Sequence, residues 1–346
     1  MRIVAAMSGG VDSSVVAGLL AEAGHEVIGV TLQLYDHGAA AGRKGACCAG
    51  RDLGDAREVA DRLGIAHYVI DAEARFRSAV IEDFADSYAR GETPIPCVRC
   101  NQSVKFTDLL GLARDLGAAA MATGHYVRRV EGAAGAELHR ALDLQRDQSW
   151  FLFATTRAQL AFCRFPLGEM ADKAAVRAEA ARLGLAVAEK ADSQDLCFVP
   201  SGRYTELLAR MRPEALAPGE IVDTAGVVVG RHSGLARYTV GQRRGLGGAG
   251  AVLALDAARN RVVVGAVPAG PATLSLRDMN WLSDEAAVFR CEVKLRAREA
   301  PHWATVRRSA VGAEVELDGA GVAAPGQACV MYRDGRVLGG GFITLG

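Results

Sequence analysis

The stretch RIVAAMSGGVDSSVVAGLL, residues 2–20, decides the fold. Its apolar run at residues 3–7 is typical of a buried strand, and the apolar run that begins at Val15 is typical of a helix. Two glycines, three serines and one aspartate lie between them. When a strand leads through a glycine-rich turn into a helix, backbone N–H groups converge on one point, where the helix dipole also favours an anion. The stretch therefore predicts a phosphate-binding loop.

The loop differs from phosphate loops that end in Gly-Lys-Ser or Gly-Lys-Thr. The sequence has no lysine near residues 8–14, and Asp12 lies inside the loop. Gly9 and Gly10 allow the backbone to approach a phosphate closely, and Ser8, Ser13 and Ser14 provide hydroxyl donors. A carboxylate beside phosphates is explained by a Mg²⁺ ion that neutralises their charge. We therefore expect Asp12 to be a ligand of Mg²⁺.

Residues 1–203 alternate apolar runs with helical patterns, which predicts an α/β domain with a doubly wound parallel sheet. Ligands of such sheets bind at the carboxyl ends of the strands, so we expect Leu32 and Gly124 to lie near the loop. Valine-rich runs separated by glycines follow. They predict a small central domain at residues 204–271 and a β-barrel-like domain at residues 272–346.

The bulk composition indicates a soluble globular protein of 346 residues, half of them hydrophobic. Basic and acidic side chains balance at 40 each, but residues 231–310 contain 13 Lys and Arg against 6 Asp and Glu. That local excess fits a polyanionic partner or a set of solvated arginines equally well. No apolar run is long enough for a membrane helix or a secretory signal, so we expect a cytoplasmic protein, and a monomer.

The eight cysteines include two groups in polar surroundings. In PIPCVRCNQSVKF, residues 94–106, Cys97 and Cys100 lie in a predicted loop, and their spacing fits a zinc half-site, a redox pair or two ligands of an iron–sulfur cluster. In ADSQDLCFVPSGRY, residues 191–204, Cys197 follows an acidic run with no apolar period. We expect Cys163, Cys291 and Cys329 to be packing residues, and the role of Cys47 and Cys48 stays open.

These stretches carry a resemblance to known proteins. SGGVDSS, residues 8–14, is similar to the pyrophosphate loop of ATP pyrophosphatases. Together with the two cysteine stretches, ATGHY at 122–126, RDQSWFL at 146–152 and PGQACVMYRDGRVLGGG at 325–341, it resembles the tRNA-specific 2-thiouridylase family over essentially the whole chain. The resemblance implies an ATP-dependent tRNA sulfurtransferase that replaces O2 of the wobble uridine by sulfur.

The resemblance also implies roles for individual residues. Cys100 and Cys197 would be the catalytic cysteines, with the persulfide sulfur on Cys197. ATP would be held by Ala6, Met7, Ser8, Gly9, Gly10, Val11, Asp12, Ser13, Leu32 and Gly124. The tRNA anticodon stem-loop would be contacted by Ile95, Pro96, Cys97, His125, Arg146, Asp147, Gln148, Arg296 and Gln327.

The chemistry of thiolation accounts for this set of residues. A pyrimidine carbonyl is a poor electrophile, so ATP first converts its oxygen into an adenylate, and a reactive thiol or persulfide then delivers sulfur. A second thiol that resolves the intermediate would leave a disulfide between Cys100 and Cys197 for a reductant. We therefore expect ATP, Mg²⁺ and a protein persulfide donor to be needed.

Two departures from the family leave alternatives open. Cys97 stands where one common form of the family has aspartate, so Cys97, Cys100 and Cys197 together could bind an iron–sulfur cluster instead of relaying a persulfide. Arg296 is followed by alanine rather than an aromatic residue, although Arg296 and Arg298 on one face of a predicted strand could still meet phosphates. The rival functions are an ATP pyrophosphatase that adenylates a small molecule for amide or ammonia transfer, and a non-catalytic RNA-binding thiol redox sensor.

Overall fold

The computed structural model describes residues 1–35, 48–192, 196–199, 203–248, 250–267 and 272–344. The chain forms two compact units. The first comprises Met1–Ala79, Val98–Gln194 and Asp334–Val337, and the second comprises Val80–Cys97, Asp195–Arg333 and Leu338–Gly346. Each unit thus contains segments that are far apart in the sequence. The division at residues 203/204 and 271/272 stays a prediction.

The first unit is built around a parallel sheet. The strands of this unit are β1 Arg2–Ala6, β2 Glu26–Gln33, β3 Ala66–Asp71, β4 Ala120–Ala122, β5 Val127–Gly132, β6 Gly135–Arg140 and β7 Cys163–Arg164. Five of them form the sheet in the order β3-β2-β1-β4-β7, and every neighbouring pair is parallel. Because β2 and β3 lie on one side of β1 whereas β4 and β7 lie on the other, the strand order reverses at β1. This confirms the predicted doubly wound α/β fold.

Helices cover this sheet and continue into the second unit. The helices are α1 Val11–Glu22, α2 Cys48–Leu63, α3 Glu73–Phe76, α4 Glu82–Ala89, α5 Pro96–Cys100, α6 Leu110–Asp115, α7 Arg157–Phe162, α8 Lys173–Arg182 and α9 Tyr204–Met211. Val15 and Val16 of α1 are fully buried and belong to one apolar cluster with Ile3 of β1 and Val176 of α8. Burial of this cluster fixes the start of α1 against the carboxyl end of β1.

A hairpin of β5 and β6 was not expected from the sequence. Residues 132–137 have the alanine- and glycine-rich composition of a loop, but Gly132 pairs with Gly135 and only two residues form the turn. Alanine and glycine have low strand propensity, so the composition concealed the strand. Arg336 pairs with His139 and so adds residues from the end of the chain to the first unit.

The second unit contains a four-stranded sheet. Its strands are β8 Gly219–Val222, β9 Val228–His232, β10 Ala251–Asp256 and β11 Arg261–Gly265, in the order β10-β11-β8-β9. Ile221, Val252 and Val262 form its core. Helix α9 precedes this sheet in the sequence, and its Leu208 is buried in one apolar cluster with Phe84 of α4.

The second unit also contains a closed barrel. Its strands are β12 Thr273–Trp281, β13 Val288–Lys294, β14 His302–Arg308, β15 Ala313–Leu317, β16 Ala328–Arg333 and β17 Arg336–Thr344. They follow the order β12-β15-β14-β13-β16-β17, and β12 pairs with β17 to complete the circle. Asp334 and Gly335 join β16 to β17 and have φ values of 50° and 79°, as a two-residue Asp-Gly hairpin turn requires. The predicted β-barrel-like domain is confirmed.

Two local predictions were wrong. Cys97 and Cys100 lie on helix α5 rather than in a loop, because Pro96 is the first helical residue, where its missing N–H is tolerated. Arg296 and Arg298 lie in a turn after β13 ends at Lys294, so they do not share a strand face. Within the described ranges, no helix is both long and apolar enough to cross a membrane.

Candidate active site

The segment between β1 and α1 forms a loop that closes on itself. Ser8 N donates to Ser13 Oγ at 3.1 Å, and Ser13 Oγ lies 3.2 Å from the Gly10 carbonyl, to which it donates. Ser14 Oγ donates to the same carbonyl at 2.9 Å, and the side chain of Ser14 is fully buried. The hydroxyls of Ser13 and Ser14 therefore shape the loop, whereas Ser8 is exposed.

The first turn of α1 has the features of an anion-binding site. Gly10 is the N-cap residue, with extended backbone, and no side chain caps the helix. The N–H groups at the start of an α-helix have no partner within the helix, and the helix dipole makes this end electropositive. An anion that binds after β1 can therefore accept hydrogen bonds from these groups.

Gly9 is the residue that the loop requires to be glycine. Its φ is +73°, in the left-handed region. A Cβ at this position would lie 2.1 Å from the backbone carbonyl oxygen of Asp52 in α2. Backbone strain and steric overlap both exclude a side chain here.

The segment that follows β4 reaches the same region. A Cβ on Gly124, which follows β4, would lie 3.0 Å from Ser13 N and 3.1 Å from the Cβ of Asp12. Gly124 is thus in close contact with the first turn of α1. Leu32 lies within β2, one residue before its end, rather than after the strand. Among the residues assigned to ATP by resemblance, Ala6 ends β1 and Met7 N donates to the Val30 carbonyl at 2.8 Å.

Two lysines that the sequence analysis missed lie against the loop. Lys173 Nζ, at the start of α8, is 2.7 Å from Asp12 Oδ1. Lys190 Nζ donates to the Gly9 carbonyl at 2.8 Å and to Asp52 Oδ1 at 2.6 Å, and it also pairs with Asp55. The loop therefore has lysine partners after all, but they come from residues more than 160 positions away in the sequence.

Tyr126 holds the carboxylate of Asp12 together with Lys173. The Tyr126 hydroxyl donates to Asp12 Oδ1 at 2.6 Å. Burial and the neighbouring Asp12 carboxylate raise the pKa of Tyr126, so the phenol remains a donor. Both described contacts are made to Oδ1, which leaves Oδ2 without a partner among the described residues. One oxygen of Asp12 is thus available to an incoming ligand.

Asp192 extends the charged cluster to Arg146. Asp192 Oδ1 is 2.9 Å from Lys173 Nζ, and Asp192 Oδ2 is 2.7 Å from Arg146 Nη1. Burial alone would raise the pKa of Asp192, but hydrogen bonds from Lys173 and Arg146 lower it. The same pairing raises the pKa of Arg146. Asp192 was part of an acidic run in the sequence, but nothing in that run indicated these partners.

Asp147 and Gln148 form hydrogen bonds within the protein. Asp147 Oδ1 accepts from Ser149 N at 3.1 Å and from Ala141 N at 3.2 Å, and Asp147 Oδ2 accepts from the Ser149 hydroxyl at 2.8 Å. Gln148 Oε1 accepts from Tyr126 N at 2.9 Å. These contacts fix the turn that carries Arg146, so Asp147 and Gln148 support this arginine whether or not they also contact RNA.

His125 is a neutral side chain in this site. Its Nδ1 lies 2.8 Å from the Thr123 hydroxyl, and its ring is 5.9 Å from the ring of Phe106. Burial of the ring, with the positive charge of Lys105 nearby, holds the pKa of His125 well below 6.5. A neutral imidazole offers hydrogen bonding and stacking rather than a positive charge to a partner.

The low pKa of His125 has a consequence for stability. In the unfolded chain this histidine takes up a proton as the pH falls through 6.5, whereas in the folded chain it does not. The free energy of unfolding should therefore decrease as the pH falls below 6.5, and it should decrease less in His125→Gln. Urea denaturation of both proteins at a series of pH values measures the two slopes, and equal slopes would contradict the assignment.

The three cysteines of the two polar stretches differ in exposure. Cys97 and Cys197 are exposed, and Cys100 is buried, with 7% of its surface exposed. Cys197 lies in a turn closed by Val199 N, which donates to the Leu196 carbonyl at 2.8 Å. This agrees with the irregular structure expected around Cys197.

Three further cysteines are packing residues, as expected. Cys163, Cys291 and Cys329 are buried, and burial raises the pKa of the Cys163 and Cys291 thiols to about 12. Such thiols are poor nucleophiles near neutral pH. Cys47 lies outside the described residues.

In the second unit the structure brings two predicted RNA-facing segments together. Gln327 Nε2 donates to the Thr93 carbonyl at 3.1 Å, and Thr93 N donates to the Pro325 carbonyl at 2.7 Å. Ile95 and Pro96, which follow Thr93, are buried. These contacts join the residues that lead into α5 to the segment before β16. Cys97, in α5, is exposed.

No three residues of His, Cys, Asp and Glu within the described part of the chain are grouped as ligands of a metal ion. The iron–sulfur cluster on Cys97, Cys100 and Cys197 and the persulfide relay both stay predictions.

A glycine-rich loop at the strand-order reversal of a parallel sheet defines a nucleotide-binding α/β domain. The family model "tRNA methyl transferase HUP domain" matches residues 1–201, "tRNA methyl transferase PRC-barrel domain" matches residues 205–266, and "Aminomethyltransferase beta-barrel domain" matches residues 272–343. A relative from Acidiphilium cryptum, named tRNA-specific 2-thiouridylase MnmA, is 69% identical over 346 residues, which cover 99% of this chain and 100% of the relative. The chain belongs to the tRNA-specific 2-thiouridylase family.

Another relative and one solved structure are also similar to this chain. A relative of the same name from Gluconobacter oxydans is 63% identical over 360 residues, covering 100% of this chain and 99% of the relative. Among solved structures, a 4-thiouridine synthetase–RNA complex with bound ATP is similar over 62% of this chain and 50% of its own, with 16% identity and a TM-score of 0.36. The family membership rests on the relatives in sequence.

Proposed function

We propose that this chain uses ATP to replace O2 of the wobble uridine of tRNA by sulfur. The observation that carries the proposal is the 69% identity, over 99% of the chain, with a protein named for this activity. The geometry of the first unit supports it, because the loop at Gly9 and Gly10 offers an anion site beside Asp12 and Lys173. ATP, the uridine and a protein donor of sulfane sulfur are the substrates in this proposal.

In the first step the loop binds the phosphates of ATP. N–H groups at the start of α1 bind them, and the positive charge of Lys173 stabilises the charge that develops on the leaving diphosphate. Asp12 would hold the Mg²⁺ ion that accompanies ATP through the oxygen that Lys173 and Tyr126 leave available, and the ion would neutralise phosphate charge. The uridine O2 attacks the α-phosphorus, diphosphate leaves, and O2 is converted into an adenylate.

In the second step the cysteines deliver sulfur. A protein donor places a sulfane sulfur on Cys197, which is exposed and therefore accessible to another protein. The terminal sulfur of the persulfide attacks C2 of the adenylated base, and AMP leaves. The Cys100 thiolate attacks Cys197 Sγ and breaks the bond to the transferred sulfur, whose electron pair remains with the product. A two-electron reductant then returns the Cys100–Cys197 disulfide to two thiols.

Arginines and neutral polar groups provide the contacts to tRNA in this proposal. Arg146 and Arg296 are exposed cations that bind phosphates, and such contacts dominate RNA affinity. His125 stacks or donates a hydrogen bond, since it is neutral. Gln327 contacts Thr93, which precedes the segment Ile95 to Cys97 in the second unit, and in this proposal Gln327 and that segment face the target base.

The proposal is tested by incubating the protein with ATP, Mg²⁺, a persulfide donor protein and unmodified tRNA. We expect tRNA that migrates slowly in a mercury-containing gel, together with one AMP and one diphosphate for each thiolated uridine. Mass spectrometry of the digested tRNA then separates replacement of oxygen by sulfur from addition of a methyl group. Diphosphate release without sulfur in the RNA, or a methylated product, would contradict the proposal.

A further inference from the structure

We propose that Asp192 and Lys173 are positioning residues that couple Arg146 to the nucleotide loop, so that RNA bound at Arg146 strengthens the binding of Mg·ATP. The inference deepens the proposed function and rests on it, since it takes tRNA phosphate as the anion at Arg146. All four residues of the coupling lie in the first unit.

The structural basis is a chain of alternating charges. Arg146 contacts Asp192 at 2.7 Å, Asp192 contacts Lys173 at 2.9 Å, and Lys173 contacts Asp12 at 2.7 Å. One end of the chain is an arginine implied in RNA binding, and the other end is the carboxylate inside the phosphate loop. Lys173 is shared between Asp12 and Asp192, and Asp192 makes its two shortest ion pairs with Lys173 and Arg146, so a change at one contact alters the next.

The side chains of this series of ion pairs differ in solvent exposure. Arg146 has 42% of its side-chain surface exposed, whereas Lys173 has 11%. An RNA phosphate can therefore reach the arginine directly, but it cannot reach the lysine as readily. The inner contacts are also screened less by salt and water than an exposed ion pair would be. A change at Arg146 is thus transmitted through contacts that are strong enough to respond.

Binding of a phosphate at Arg146 weakens the ion pair between Arg146 and Asp192. The phosphate competes for the guanidinium and repels the carboxylate. Asp192 then depends more on Lys173 for its neutralisation, and Lys173 shifts from Asp12 towards Asp192. Asp12 is left with the Tyr126 hydrogen bond alone and becomes a better ligand for Mg²⁺. The RNA contact thereby prepares the loop for Mg·ATP.

Arg177 provides a matched control because it lies beside the same carboxylate without joining the loop to Arg146. Arg177 Nη2 is 3.8 Å from Asp192 Oδ1, which is a weak contact. Its stronger bonds go to the carbonyls of Ala188 and Lys190, at 2.6 Å and 2.8 Å. Removal of this arginine changes the local charge by the same amount as removal of Arg146.

The test measures the dissociation constant of a non-hydrolysable ATP analogue with Mg²⁺, with and without a saturating anticodon stem-loop RNA. In the wild-type protein the RNA should tighten analogue binding by at least about fivefold, within the usual range of coupling between two sites. Asp192→Asn keeps the shape of the side chain but removes its charge. We expect this variant to bind both ligands and to show no change of analogue affinity on RNA addition.

Arg146→Gln tests the direction of the coupling without RNA. This variant removes the same partner of Asp192 that RNA would occupy, so it should bind Mg·analogue more tightly than the wild type. Simple loss of a positive charge predicts the reverse, and Arg177→Gln measures that effect. Equal behaviour of the two arginine variants, or an undiminished RNA effect in Asp192→Asn, would overturn the inference.

Failure of this inference can be told apart from failure of the proposed function. If the wild-type protein thiolates tRNA but its analogue affinity is the same with and without RNA, the coupling is wrong and the function stands. If neither RNA binding nor thiolation is observed, the function is wrong, and the coupling falls with it.

Discussion

Replacement of Cys197 by serine should reduce tRNA thiolation by at least about 10³-fold, because a hydroxyl cannot hold a sulfane sulfur and loss of a nucleophile has effects of this size. Affinity for tRNA should stay within about twofold, since Cys197 is exposed in a turn and supplies chemistry rather than a charged contact. Diphosphate release in the presence of tRNA should continue. Mercury-gel analysis, filter binding and a diphosphate assay measure the three quantities.

Cys163→Ala is the matched control for this experiment. Cys163 is another thiol of the same chain, but it is buried and its pKa is raised to about 12 by burial. Its loss should leave thiolation close to that of the wild type. If Cys197→Ser retained more than about a tenth of the wild-type rate, a persulfide on Cys197 would not lie on the pathway, since removal of a nucleophile cannot be so mild.

Gly9→Ala should abolish ATP-dependent thiolation and destabilise the fold. Left-handed backbone at a residue with a Cβ costs about 1–2 kcal/mol. The added overlap with the Asp52 carbonyl, at 2.1 Å, forces α2 or the loop to move. We expect a loss of ATP binding of at least about 100-fold, because displacement of positioning groups by about 1 Å has effects of this size. Equilibrium dialysis with ATP and urea denaturation measure both effects.

Two glycines of the same unit separate strain from overlap. Gly24 has φ +76°, and a Cβ at this position would have no atom within 4 Å, so Gly24→Ala carries backbone strain alone. Gly10 has φ −92°, and a Cβ there would have only Ser8 Oγ nearby, at 3.6 Å. Gly10→Ala therefore introduces neither backbone strain nor steric overlap, and it measures the effect of a methyl group in the loop without them. Destabilisation in Gly9→Ala no greater than in Gly24→Ala would show that the contact with Asp52 is unimportant.

The fold of the first unit could be predicted because short, continuous stretches of the sequence indicate its strands and the loop. Each strand of a buried parallel sheet is a continuous apolar run, and the glycine loop marks the point where the first strand ends. The hairpin of β5 and β6 was missed because its turn region is rich in alanine and glycine, and its stability depends on pairing rather than composition. Helix α5 was missed because two prolines close together, at 94 and 96, favour a loop, although Pro96 is the first helical residue.

The candidate site was only partly predictable for the same reason. The loop itself is a local motif, so Gly9, Gly10 and Asp12 could be identified from their spacing. Lys173 and Lys190 carry no local motif, and only the tertiary fold brings them to the loop. A lone lysine is normally a solvated side chain, so no property of the sequence distinguished these two.

The interleaving of the two units limits how this protein can be divided. Residues 80–97 lie early in the chain but belong with the barrel, and residues 334–337 lie near its end but belong with the parallel sheet. A cut after residue 203 would leave Phe84 and Tyr88 without the ring of Tyr204 on which they pack. Neither half would retain the whole apolar cluster of Phe84, Leu208 and Ala236, so we expect each half to be less stable when it is expressed alone.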